Sequence, residues 1–115
     1  LHHGDETILA LQLWMEGHVQ QDLGGDALCL RTGLPGRTFL RRFRAATGTS
    51  PNAYVQALRV EKARGLLERT RDPVSAISWA VGYQDVSAFG RVFRSVTGLS
   101  AVDYRQRFSV LDVRA

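Results

Sequence analysis

Cysteine, lysine and long apolar runs are scarce in this chain of 115 residues. Its one thiol, Cys29, cannot form an internal disulfide or a zinc site with several cysteine ligands, so we expect a small buried residue. No apolar run approaches the roughly 20 residues that span a membrane, and the N-terminus lacks the layout of a signal peptide. These absences predict a cytoplasmic protein without a membrane partner.

Groups of catalytic or metal-binding residues are also missing from the sequence. An enzyme needs a nucleophile beside a base, or paired carboxylates in a cleft, and the 11 acidic residues and one cysteine suggest neither arrangement. His2, His3 and His18 lack further ligands, so we expect them to be solvated or part of a tag. The sequence thus predicts no catalytic site, no metal site and no cofactor.

Positive charge is concentrated after residue 22. The net charge is +4, and residues 1–22 contain four acidic residues but no lysine or arginine, so the remaining 93 residues carry +8. Fourteen of the 15 basic residues are arginine, whose planar fork of donors suits phosphates and guanine edges. This charge predicts a polyanionic partner such as DNA.

Helical periodicity runs through the chain. Apolar residues recur at steps of three and four, as from Ile8 to Val19, and no stretch shows sustained strand alternation. Ser50-Pro51 and Asp72-Pro73 each resemble an N-cap followed by a proline at the first helical position. The sequence therefore predicts an all-α fold of seven helices, at about 5–20, 25–32, 36–47, 51–69, 74–81, 86–97 and 101–108.

The chain contains an internal repeat at an offset of 50 residues. Each copy has a short helix, a glycine-containing turn and a second helix whose two phenylalanines, four positions apart, share a face that we expect in the core. This is the pattern of a helix-turn-helix. Any small helical bundle has glycine turns and solvated arginines, but it has no need to repeat the arginines together with the phenylalanines. The repeated residues are Phe39, Arg41, Phe43, Arg44, Thr47, Gly48, Ser50 and Tyr54, which recur as Phe89, Arg91, Phe93, Arg94, Thr97, Gly98, Ser100 and Tyr104.

The repeat predicts one domain, residues 1–115, made of two helix-turn-helix subdomains. The first unit spans about 5–50, a long linker helix about 51–70, and the second unit about 72–108. A linker helix of this length would extend roughly 28 Å, against a spacing of roughly 34 Å between successive major-groove faces of B-DNA. We therefore expect the two recognition helices to enter successive major grooves of one duplex.

Both copies of the repeat resemble the units of AraC/XylS-type transcription regulators. The first copy reads GLPGRTFLRRF from Gly33 and TGTSP from Thr47. The second reads GYQDVSAFGRVF from Gly82 and TGLS from Thr97, and it is similar to the signature segment of that family. The resemblance covers about residues 5–108 and implies the DNA-binding part of such a regulator.

The chain also departs from the family pattern at helix ends. Pro35 stands where a capping serine is common, Gly24-Gly25 where a Ser/Thr cap and an apolar residue are common, and Ala101 where proline usually follows serine. The segment His3–Glu6 resembles the subgroup in which a DJ-1/PfpI-like domain precedes the DNA-binding part. Because the chain starts at Leu1 and no sensing module is visible, we expect a fragment of a longer protein.

The resemblance also implies roles for single side chains. Arg37 and Arg41, one turn apart, would each grip guanine O6 and N7, whereas the second helix would read DNA more by methyl contact and shape. Arg44 and Arg94 would contact phosphates. The groove-facing residues would be Gly36, Arg37, Leu40 and Arg41 in the first unit, and Val86, Ser87, Gly90 and Arg91 in the second.

Structural roles are considered for four further residues. Arg42 is either a solvated surface residue or a phosphate contact. Arg59, on the linker helix, is a candidate for a structural residue that ties the two units together. Trp14 and Trp79 are expected in the core.

Together these features predict sequence-specific binding of double-stranded DNA by the output domain of a transcription regulator, an activator or a repressor. RNA polymerase is a further expected partner, as is a second copy of the protein joined through a missing N-terminal domain. The alternative is a helical protein-interaction module whose arginines bind an acidic partner.

Overall fold

The computed structural model describes residues 3–111, which form seven α-helices and no β-strand, so the all-α prediction is confirmed. Six of the seven helices begin and end within one residue of their predicted bounds. The helices are α1 (Glu6–Glu16), α2 (Gly25–Thr32), α3 (Gly36–Thr47), α4 (Pro51–Arg69), α5 (Val74–Ala80), α6 (Val86–Thr97) and α7 (Ala101–Phe108).

The first helix is shorter than predicted, ending at Glu16 rather than near residue 20. The backbone N–H of Gly17 donates to the Trp14 carbonyl at 3.2 Å, and that of His18 donates to the Met15 carbonyl at 3.1 Å. These tight three-residue bonds close the last turn. Val19 therefore lies beyond the helix, although it continues the apolar spacing.

The N-cap predicted at Asp72 is wrong, whereas the one at Ser50 is confirmed. Ser50 Oγ accepts a hydrogen bond from the Ala53 backbone N–H at 3.1 Å. In α5 the N-cap is Pro73 itself, whose ψ of 152° is extended, so Pro73 is not the first helical residue that the Asp72-Pro73 pattern indicates. The Asp72 side chain is then one position too far from the first helical N–H groups to cap them.

The chain divides into two compact units, Leu1–Val55 and Gln56–Ala115, with the boundary inside α4. The core of each unit contains three aromatic rings at equivalent positions of the repeat. In unit 1, Phe43 lies 5.7 Å from Phe39 and 5.4 Å from Tyr54, measured between ring centroids. In unit 2, the corresponding distances from Phe93 are 5.6 Å to Phe89 and 5.4 Å to Tyr104. All four phenylalanines are buried, so their predicted core position is confirmed.

The core position predicted for the two tryptophans is wrong. Trp79 is 67% exposed, because α5 turns Ile77 and Ser78 inward and Trp79, two positions after Ile77, lies on roughly the opposite side of a helix with about 3.6 residues per turn. Trp14 is only half-buried. Its ring is stacked against His18 at 4.3 Å and lies 3.6 Å from the Arg31 guanidinium.

Two predictions on polar side chains also need correction. Cys29 is half-buried rather than buried, and its thiol donates to the Leu34 carbonyl at 3.2 Å. His3 is half-buried rather than fully solvated, and its Nε2 lies 2.6 Å from Gln12 Oε1. His18 Nδ1 is likewise 2.6 Å from the Trp14 carbonyl oxygen. The prediction for His2 lies outside the described residues.

Candidate nucleic-acid interface

Each unit contains two short helices joined by a glycine-bearing turn, in the order predicted from the repeat. In unit 1, α2 ends at Gly33, whose φ of 72° reverses the chain direction before α3. In unit 2, the turn between α5 and α6 contains Gly82, with a φ of 104°. Both turns need a left-handed residue, which glycine adopts without steric cost.

The buried phenylalanines decide which face of α3 and α6 points outward. In α3 the exposed residues Arg37, Leu40, Arg41 and Arg44 follow a spacing of i, i+3, i+4 and i+7, so they share one face. Leu40, Arg41 and Arg44 also line one surface depression of about 540 Å³. Gly36, at the start of α3, is exposed too.

The same spacing recurs on α6, where Ser87, Gly90, Arg91 and Arg94 share a face that Val86 extends. All of these are exposed except Gly90, which is half-buried. The structure thus brings together, within each unit, the residues that the sequence predicts at the interface.

The arginines on these two faces are available to bind an outside anion. Neither α3 nor α6 contains an acidic residue. Within residues 3–111, no ion pair or hydrogen bond engages the guanidinium groups of Arg37, Arg41, Arg44, Arg91 and Arg94. These five unpaired guanidinium groups lie on two helices whose opposite faces are buried. They can bind phosphate oxygens and guanine edges, both of which accept two parallel N–H bonds.

Arg42 has neither of the roles expected for it. Its Nε donates to Asp5 Oδ2 at 2.9 Å and its Nη2 to Asp5 Oδ1 at 2.8 Å, forming a two-bond ion pair. Asp5 also caps α1 by accepting the Ile8 backbone N–H. The Arg42 guanidinium holds the pKa of Asp5 at about 2, below its ordinary value of 3.8. This pair ties the start of α1 to the middle of α3 and is missed by sequence reasoning because its partners are 37 residues apart.

The pH dependence of stability should reveal this ion pair. Folding lowers the pKa of Asp5 from 3.8 to about 2, so the pair stabilises the fold fully above about pH 4 and its contribution is lost as the pH falls toward 2. We expect Asp5→Asn, which keeps a capping oxygen but removes the charge, to melt at a lower temperature than the unchanged protein at pH 7. Melting curves from pH 7 to pH 2 should show this difference shrinking, and a constant difference would contradict the pair's role.

Arg59, on α4, contacts the turn that precedes α6. Its guanidinium lies 5.3 Å from the centre of the Tyr83 ring, in the turn that precedes α6. Burial raises the pKa of the Tyr83 phenol. This contact joins α4 to the turn that precedes α6 within unit 2, and the prediction that Arg59 ties the two units together stays a prediction.

A polar network at Tyr104 was not anticipated from the sequence. Arg64 Nε donates to the Tyr104 hydroxyl at 3.0 Å, and that hydroxyl donates to the Glu68 carboxylate. Burial is the main cause of the raised pKa of Tyr104. In unit 1 the equivalent Tyr54 hydroxyl accepts a hydrogen bond from Gln12 Nε2 at 3.1 Å. The repeated tyrosine is thus anchored in both units, by different partners.

Other kinds of site receive no support from the described part of the chain. Between residues 3 and 111, no three or more His, Cys, Asp or Glu side chains lie close enough together to hold a metal ion. Over the same residues, no helix has the length and apolar character needed to cross a membrane.

Comparison with known proteins agrees with this geometry. Residues 28–107 match a family described as a helix-turn-helix domain, and the chain belongs to that family. Within it, the chain is an AraC-type DNA-binding domain, which confirms the resemblance found in the sequence. The subgroup with a preceding DJ-1/PfpI-like domain stays a prediction.

Similar proteins are known in sequence and in structure. The transcriptional activator RhaS of Escherichia fergusonii is 34% identical over 110 residues, which cover 92% of this chain but only 40% of the activator. The DNA-binding domain of AdpA, a global transcriptional factor crystallised with a target DNA, is 28% identical with a TM-score of 0.86, covering 90% of this chain and 94% of that one. The C-terminal domain of AraT, a response regulator from Geobacillus stearothermophilus, is 22% identical with a TM-score of 0.90, covering 96% and 93%, and shows the fold alone.

Proposed function

We propose that this chain binds specific sites in double-stranded DNA as the output domain of a transcription regulator. The observation that carries the proposal is the repeated outward face of α3 and α6, whose arginines are unpaired within residues 3–111. The AdpA domain, which was crystallised with its target DNA, supports it. Because the chain spans only 40% of the RhaS length, the effector and the regulatory outcome depend on more than this domain.

Different side chains on these helices contact base edges and the DNA backbone. Arg37 and Arg41 on α3 bind guanine O6 and N7. Arg44 and Arg94, one turn further along their helices, bind phosphates and fix the register. The remaining groove-facing residues are Gly36 and Leu40 on α3, and Val86, Ser87, Gly90 and Arg91 on α6.

The length of the linker helix suits binding in two successive major grooves. The 19 residues of α4 extend roughly 28 Å at 1.5 Å per residue, which is of the same order as the 34 Å or so between major-groove faces. One chain would then contact close to two turns of one duplex. We further infer that the regulator acts in the cytoplasm without catalysis of its own, contacts RNA polymerase and pairs with a second copy through an N-terminal domain outside this chain.

The salt dependence of binding is the direct test. We expect log K for duplex DNA to fall steeply with log salt, with a slope near −0.9 for each phosphate neutralised. The measurement is fluorescence anisotropy on a duplex chosen by selection from a randomised pool, in the presence of unrelated competitor duplex. Salt-sensitive binding that persists in the presence of the competitor supports sequence-specific DNA binding. A flat salt response, or an acidic protein that displaces the duplex completely, would favour the protein-interaction alternative.

A further inference from the structure

Gly90 differs from the glycines that the backbone of this protein requires. Gly33, Gly48, Gly82 and Gly98 all have a positive φ and lie in turns or at helix ends. Gly90 lies inside α6, its φ is not positive, and a Cβ built on it would meet no described atom within 4 Å. A glycine in the middle of a helix destabilises the helix relative to alanine.

The repeat shows that a side chain is tolerated at this position. The residue equivalent to Gly90 in the first copy is Leu40, which is 54% exposed on the same face of α3. On α6, the exposed residues Val86 and Arg94 lie four positions before and four positions after Gly90 and therefore flank it on one face. Between the side chains of Val86 and Arg94, Gly90 therefore leaves the backbone of α6 without a covering side chain.

We infer that Gly90 is the point at which base edges approach the backbone of α6 more closely than any side chain would permit, and that it thereby determines part of the sequence specificity of unit 2. This inference rests on the proposed DNA binding, and it explains why a destabilising residue occupies an open position. The first unit reads through long side chains at the equivalent place, because Leu40 keeps the α3 backbone further from its ligand. The two units therefore read their grooves at different depths.

The test is to add a side chain and to measure stability and DNA affinity in the same protein. We expect Gly90→Ala to raise the melting temperature by about 4 °C, since it removes the cost of a helical glycine, and to weaken binding to the selected duplex at least about tenfold. Gly90→Leu, which copies Leu40, should weaken binding further. The matched control is Gly17→Ala at the end of α1, where φ is −93° and the nearest atom to an added Cβ is 3.8 Å away; it should leave affinity unchanged.

Each outcome decides for or against this role. A more stable Gly90→Ala variant with unchanged affinity would show that DNA leaves room at this position, and the inference would fall. A less stable variant would also overturn it, because the glycine would then be needed by the fold. If the unchanged protein selects no preferred duplex at all, the proposed function itself fails, and that result is separate from any effect of Gly90.

Discussion

Replacing Phe43 or Phe93 by alanine is expected to lower the free energy of unfolding by about 3 to 5 kcal/mol. Both side chains are completely buried, and each ring contacts a second phenylalanine and a tyrosine in its own unit. Truncation leaves a cavity where these rings meet. Because small domains have only about 5 to 15 kcal/mol of stability, either change should remove a large part of it.

Denaturant unfolding of the single variants measures this loss. The matched control is Phe108→Ala, since Phe108 is 49% exposed at the end of α7, where its ring lies against Tyr104. We expect its effect to be much smaller. Equal losses at Phe43 and Phe108 would mean that the aromatic cluster of unit 1 does not carry its stability.

Arg41→Ala and Arg44→Ala are expected to impair DNA binding in different ways. The two arginines share the exposed face of α3, but Arg44 lies about one turn further toward its C-terminus. Loss of the two-bond contact from Arg41 should relax the preference at one base pair by roughly 1 to 3 kcal/mol. Loss of Arg44 should weaken all duplexes alike and reduce the salt slope by about one contact.

Binding of both variants is measured on the selected duplex, its single-base variants and an unrelated duplex, at several salt concentrations. Arg107→Ala serves as the charge-matched control, because Arg107 is exposed on α7, outside both recognition helices. If Arg41→Ala lowered the affinity for every duplex equally, Arg41 would not read a base. The face of α3 would then meet the DNA in a different rotation.

Much of the candidate interface was predictable because it depends on local geometry. An α-helix has about 3.6 residues per turn, so once Phe39 and Phe43 are assigned to the core, the outward direction of Arg41 and Arg44 follows. The 50-residue repeat extends the same reasoning to Phe89, Phe93 and their neighbouring arginines. The roles of single arginines at DNA stay predictions.

Other features were out of reach because they depend on contacts between distant segments. Arg42 looks like its neighbour Arg41 in the sequence, and only its ion pair with Asp5 removes it from the set of free cations. Trp79 has the composition of a core residue, yet the rotation of the short helix α5 leaves it exposed. The apolar character of a residue makes its burial favourable, but the packing of the helices decides which apolar residues are buried.

By itself, the sequence determined the helical class, the two helix-turn-helix units, the family and the residues that share each recognition face. These follow from periodicity and turn glycines, which act over a few residues and therefore leave a local signal, and from a repeat that shows the same local pattern twice. Only the tertiary structure decided which arginines remain unpaired within residues 3–111 and that the space beside Gly90 is open. The physical reason is that ion pairing, burial and free volume are set by segments that meet in space after being far apart along the chain.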